Sequence, residues 1–421
     1  MSHPAPAATA PAAPVLLTRP QVVAWRNAVF GIFALSGVAI ASWVARTPSI
    51  RDMLGASTFQ MGLIVFGLAL GSIIGLTTSS QILARLGSAA TIRISLLAVA
   101  LGLVITGIGA TTASFAVVVT GLAIFGLGNG TCDVAMNVEG AANERALDRT
   151  VMPLFHALFS GGTILGAALG AAAEFGGLPI VTHLLIIAVL VAAGALFAVR
   201  YLQPDPAVAA AERAAIDRPA QDGAGLGARR SRVAIWRDHR TLLIGLIVLG
   251  MAFAEGSAND WLALAMVDGH GVDNATGALI FGVFVTAMTV GRVGGVWLLD
   301  RFGRVPVLRV SSVLAAVGLV TVIFAPAVWL AVIGVVLWGF GAALGFPVGM
   351  SAAAHDPVNA AARVSAVATI GYLAFLVGPP LLGFVGEHVG LLNALLMVLV
   401  LVAVAGLVSP AARKRESQQV G

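Results

Sequence analysis

Twelve long apolar runs, separated by short polar breaks, constrain this chain more than any other feature of its 421 residues. They fall near 24–46, 58–81, 91–111, 114–138, 151–173 and 179–200, then near 240–266, 275–298, 306–325, 328–350, 362–386 and 390–409. Roughly 20 apolar residues in a helix cross a bilayer core, where every backbone polar group must find an internal partner. The runs therefore predict an all-α integral membrane protein with 12 transmembrane helices. A membrane barrel is excluded, because its strands alternate polar and apolar residues. Composition agrees: 10% of residues are charged, against roughly 25% in soluble proteins. Fifty glycines suit helices that approach closely in lipid.

The runs divide six and six about a charged stretch. This predicts a disordered tail at 1–20, a six-helix half at 21–200, an inter-half loop at 201–239, a second six-helix half at 240–410 and a tail at 411–421. The opening residues have no basic segment followed by an apolar one, so they read as an Ala/Pro tail and not a cleaved signal. Within the loop, AVAAAERAAID reads as a short surface helix. With the N-terminus in the cytoplasm, all but three of the 24 Lys and Arg lie on the inner side; Arg46 and Arg51 fall outside and Arg292 within a helix. The positive-inside rule thus predicts both termini in the cytoplasm, and the chain reads as a multi-pass protein of a bacterial inner membrane. The net charge of +5 decorates loops and does not call for nucleic acid. The halves read as repeats: ASW at 41–43 aligns with NDW at 259–261, and ARLG at 84–87 with DRFG at 300–303.

Catalysis finds no support. There is no nucleophile–base–acid set and no phosphate loop, and the seven histidines are scattered. The single cysteine, Cys132, excludes an internal disulfide and a cysteine-based metal site. The expectation is a non-enzyme, monomeric, without cofactor or metal. Attention then falls on polar residues inside apolar runs, which cost roughly 3 kcal/mol or more at the bilayer centre and face a cavity or a partner. Asp133 and Asn137 share one helix face; Glu255 and Asn259 repeat the acid-plus-Asn spacing in the second half. Asp133 and Glu255 are read as proton-coupling groups, Asn137, His156 and Asn259 as solute ligands. His156 follows a short loop that brings it towards Asp133. Asp260 reads as a gate residue or a capping partner. Glu139 points away from Asp133 and reads as part of a loop cluster with Glu144, Arg145 and Arg149. Gly162, Gly166 and Gly170 form a packing stripe, Trp43 and Trp261 anchor or line helices, and Pro379–Pro380 marks a kink or hinge.

Twelve helices as six plus six, a long central loop and DRFGR at 300–304 resemble the major facilitator superfamily. Asp300, Arg301, Gly303 and Arg304 match that superfamily's cytoplasmic loop motif, while Val296 and Val305 replace its flanking Gly and basic residue. The resemblance implies a structural network in which Arg292 takes part; the other reading of Arg292 is a charge partner for Glu255 or solute. DVAMN at 133–137, PLFHALFSGG at 153–162, EGSANDW at 255–261 and GYLAFLVGPPLLGF at 371–384 are similar to the fucose-permease-like branch, including bacterial members of unassigned substrate. In that branch a protonatable carboxylate precedes an Asn by four residues, matched by Asp133 and Asn137, and a sugar-contacting Gln falls at His156. The branch's first-helix aspartate has no counterpart in GVAIASWVARTP. The resemblance implies a secondary transporter: proton-coupled uptake of a small polar solute, sugar-like or another metabolite, by alternating access. The alternatives are efflux by proton antiport and a non-transporting sensor on the same fold.

Overall fold

The structure, a computed structural model, describes residues 17–149, 151–203, 235–354 and 360–413. The AVAAAERAAID segment, most of the expected N-terminal tail and the end of the C-terminal tail lie outside the described residues. The helices are α1 (Arg19–Ala45), α2 (Thr47–Leu54), α3 (Thr58–Leu86), α4 (Ser88–Thr111), α5 (Phe115–Leu147), α6 (Met152–Phe175) and α7 (Ile180–Ala198). After the central stretch come α8 (His239–His270), α9 (Asn274–Phe302), α10 (Arg304–Phe324), α11 (Val328–Ala342), α12 (Gly345–Ala353), α13 (Ala360–Val389) and α14 (Leu391–Val408). Among the described residues, 12 spans are long and apolar enough to cross a membrane. Exposed Leu101, Ile186, Phe197, Val317, Val400 and Leu407 form part of the apolar exterior that lipid would cover.

Local chemistry explains where the spans begin and turn. At the start of α3 the Ser57 hydroxyl accepts from the Gln60 backbone N–H at 3.3 Å, and the Gln60 side chain accepts from the Ser57 N–H at 2.9 Å. At the start of α9 the Asp273 carboxylate accepts from the Thr276 N–H at 2.8 Å. That bond holds the Asp273 carboxyl below the ordinary carboxylate range. Gly55 and Gly271 precede these caps with φ of 57° and 68°; Gly87 and Gly303 turn α3 into α4 and α9 into α10 with φ of 74° and 77°. A Cβ is strained in that conformation. Caps and turns recur at one spacing along the chain, so ARLG and DRFG mark repeated turn geometry.

Three elements depart from the sequence expectation. The segment TPSIRDML after the first span forms α2, started by Pro48 in its first turn. The tenth run is broken at Ala343–Leu344 into α11 and α12. The fourth run continues to Leu147, which overturns the loop assignment of Glu139. Glu139 is only 5% exposed and accepts from the Trp25 indole N–H at 2.7 Å. Asn143, one turn on, donates to the Val22 carbonyl of α1 at 3.2 Å. Glu144 instead accepts from the Val151 and Met152 N–H groups at 2.7 Å each, closing the turn into α6.

The first six spans pack chiefly through α4 and α3 on α5, and α1 on α6; the last six through α10 on α11 and α8 on α13 and α14. The expected glycine stripe serves α1 against α6: a Cβ on Gly162 would stand 2.2 Å from the Ala34 carbonyl oxygen. Trp43 and Trp261 are buried and line helix contacts. Two main seams join the first six spans to the last six, α3 against α13 and α6 against α9. At the first, a Cβ on Gly62 would stand 2.8 Å from the Pro379 carbonyl oxygen, so the Pro379–Pro380 segment inside α13 lies at the contact. At the second, Ala45, Ala171 and Ala278 pack together.

Candidate functional site

A cavity of about 910 Å³ lies between the two sets of spans. Asp133 and Met136 reach it from α5, His156 and Ser160 from α6, Thr289 and Arg292 from α9. In each pair the spacing of three or four residues places both side chains on one helix face. Phe159, Val293, Leu344 and Phe346 supply apolar wall. Asp300, Gly303 and Arg304 also line the cavity, which therefore extends to the end of the molecule where α9 turns into α10.

The opposite end is closed. There Arg51 of α2 bonds Asp268 at the end of α8 and Asp52 at 2.8 Å. Asn274 of α9 donates to Asp52 at 3.0 Å and to the Ser49 hydroxyl at 3.4 Å. The Glu387 carboxylate of α13 accepts from the Phe59 N–H of α3 at 3.0 Å. Burial lowers the affinity of the Arg51 guanidinium for its proton, but the bonds to Asp268 and Asp52 outweigh it and hold the pKa above the ordinary arginine value.

Asp133 is partly exposed, and Asn137 folds back on it: the Asn137 amide donates to the Asp133 backbone carbonyl at 2.7 Å and reaches its carboxylate at 3.4 Å. His156 is exposed to the cavity, edge-on to Phe33 at 5.2 Å between ring centres, and within electrostatic reach of Asp133 and Arg292. Arg292 pairs with Glu255 of α8, Nη2 to Oε1 at 2.7 Å, and its Nε donates to the Ala343 carbonyl at 3.3 Å. Of its two sequence readings, the geometry is that of a charge partner. The Arg292 side chain is 36% exposed and Glu255 16%, so the guanidinium faces the cavity and the carboxylate stands behind it.

The structure thus brings Asp133, His156 and Arg292 around one space, with Glu255 held behind Arg292. Asn137, Asn259 and Asp260 are not on the cavity wall. Asn259 and Asp260 make no side-chain hydrogen bond to another described residue, and the capping role considered for Asp260 finds no bond to support it. Arg301 is exposed on the surface, while Arg304 donates to the Ser351 hydroxyl of α12 at 2.9 Å. Sequence reasoning missed Tyr372 of α13, which lies within electrostatic reach of Asp133 from the other set of spans, its ring 6.5 Å from Phe346. Its rarity was a usable signal: the chain has two tyrosines, and this one interrupts an apolar run.

A profile of the Major Facilitator Superfamily matches residues 251–420. An uncharacterized transporter of Sinorhizobium fredii, y4wD, is 28% identical over 385 residues, covering 89% of this chain and 97% of that protein. An uncharacterized MFS-type transporter of Yersinia pestis is 29% identical over 359 residues, covering 84% of this chain and 87% of that one. The chain is thus similar to transporters of the major facilitator superfamily over most of its length, and to that family's profile over residues 251–420. Solved transporters share its fold. The nucleoside transporter NupG aligns with a TM-score of 0.70 at 16% identity, over 94% of this chain and all of that one. FucP in its outward conformation aligns at 0.62 and 19% identity, with 94% of this chain covered and 100% of FucP. The molecule presents a polar centre within a cavity open at one end and shut at the other.

Proposed function

We propose that this transporter couples inward movement of protons to uptake of a small polar solute, by rocking two six-helix halves about the α3–α13 and α6–α9 seams. The observation that carries the reading is the meeting of Asp133 and His156 of the first half with Arg292 of the second across one cavity, Arg292 being paired with Glu255 behind it. An intramembrane acid facing a cavity is the expected form of a proton carrier. The distribution of Lys and Arg supports an orientation with the end bearing Arg304, and both termini, in the cytoplasm of a bacterial inner membrane. The cavity then opens inward, with the Arg51–Asp268 end closed to the outside.

In the proposed cycle the monomer opens outward when the Arg51, Asp52, Asp268 and Asn274 contacts part. Asn259 and Asp260, on the outer part of α8, receive the solute on entry. Asp133 takes a proton from outside, held in place by Asn137. The solute settles against His156, Arg292 and Tyr372; closure of the outer end then exposes it to the cytoplasm. Each charge moved inward gains about 2.3 kcal/mol per 100 mV of membrane potential. The likeness of the fold to FucP, a fucose:proton symporter, is compatible with this direction and ion.

The test is Asp133→Asn in proteoliposomes loaded with a metabolite identified by thermal shift. Proton-driven accumulation is expected to fall to background while solute exchange at equal pH persists. Retention of both proton-driven uptake and exchange would overturn the coupling role.

A further inference from the structure

The charges at the centre are unequal in one respect. Asp133, Glu255 and His156 can each become neutral by gaining or losing a proton, whereas an arginine cannot. Arg292 has one edge committed, Nη2 to Glu255 and Nε to the Ala343 carbonyl. Its Nη1 bonds no described residue, and the side chain faces the cavity. His156 and the Ser160 hydroxyl stand on the neighbouring wall, one helical turn apart. Asp133 and Thr289 also line it, as do Asp300, Arg304 and Ser351 towards the open end, and the rest of the wall is apolar.

We propose that the solute is a carboxylate with an apolar or mixed body, whose anionic group takes the Arg292 guanidinium in place of Glu255. This rests on the uptake reading above and names its substrate class. A guanidinium presents parallel N–H donors that fit a carboxylate, and the pair is strong where water is excluded. When the solute displaces Glu255, that carboxylate loses its partner and takes a proton from the open aqueous side, becoming a neutral acid. When Glu255 is protonated first, Arg292 is left uncompensated until an anion arrives. Either order ties solute binding to uptake of one proton, so the Glu255 proton cancels the solute's charge. The charged groups around this exchange are Arg292 from α9, His156 from α6 and Asp133 from α5, with Tyr372 of α13 near Asp133. Among the described residues, Arg292 is the charged group in contact with Glu255.

Full-length protein in detergent is melted with matched triples on one skeleton: benzoate, benzamide and benzylamine; butyrate, butyramide and butylamine; gluconate, gluconamide and glucamine. The expected result is that in at least one triple the carboxylate alone raises Tm. Its Kd should tighten about tenfold in Glu255→Gln, which frees Arg292 for the ligand. Binding should vanish in the double variant Glu255→Gln/Arg292→Gln, which leaves no unpaired charge to unfold the site. Stabilisation by an amide or amine in place of its acid, silence of all three acids, or weaker acid binding in Glu255→Gln overturns the proposal. An amine or amide whose uptake is lost in Asp133→Asn would remove the carboxylate and leave proton-coupled uptake standing. A bound carboxylate whose uptake survives Asp133→Asn would do the reverse.

Discussion

Glu139 shows how a single residue can be misplaced by its neighbours. It lies six positions beyond Asp133, next to loop charges, yet its carboxylate is buried against the Trp25 indole at 2.7 Å. Truncation in Glu139→Ala would leave a buried donor without that partner, which costs about 1–3 kcal/mol. A lower Tm with solute binding intact is the expected outcome, and a loss of binding without a change in Tm would contradict the structural assignment. Asp273 offers a pH test at the same scale. Its folded pKa is depressed, so the stabilisation it gives is present above the unfolded carboxylate pKa, about 3.9, and is lost as pH falls through the folded value. Melting curves from pH 6 downward should therefore lose part of their acid dependence in Asp273→Asn.

At the level of elements, neighbouring glycines on α6 make a matched experiment. A Cβ on Gly162 would meet the Ala34 carbonyl at 2.2 Å, whereas a Cβ on Gly161 has nothing within 4 Å. Gly162→Ala should destabilise by about 1–3 kcal/mol through separation of α6 from α1, and Gly161→Ala should be neutral or mildly stabilising. Equal melting temperatures for the two variants would contradict the packing. This stripe was legible in the sequence because its spacing of four is a helical period. The 12 spans were legible because length and apolarity alone decide membrane crossing. The approach of His156 to Asp133 followed from the short loop between their helices. What stayed hidden depends on partners far along the chain. The fourth run outlasts its apolar stretch because α1 supplies Trp25 and the Val22 carbonyl to its polar residues. Asn137 matches a ligand by spacing, yet it spends its amide on Asp133 one turn back. Tyr372 stands out in its apolar run, but its nearness to Asp133 comes from the packing of α13, which the local sequence does not show.

For the whole molecule, the bonds at the closed end set the balance between conformations. Arg51→Glu puts like charges against Asp268 and Asp52 and should shift the population towards opening at that end. Spin-label distances across the α2–α8 contact, in a Cys132→Ser background, should lengthen. The exchange Arg51→Asp with Asp268→Arg should restore them in part; unchanged distances in Arg51→Glu would show that the seams alone hold the end shut. The size of the cavity has its own consequence. At the density of liquid water, about 30 Å³ per molecule, 910 Å³ holds on the order of 30 waters. A metabolite-sized solute displaces only a fraction of them in this open conformation, so the rest of the cavity stays wet around it. Discrimination then falls to the charged centre, and related compounds of quite different bulk should compete for the same seat.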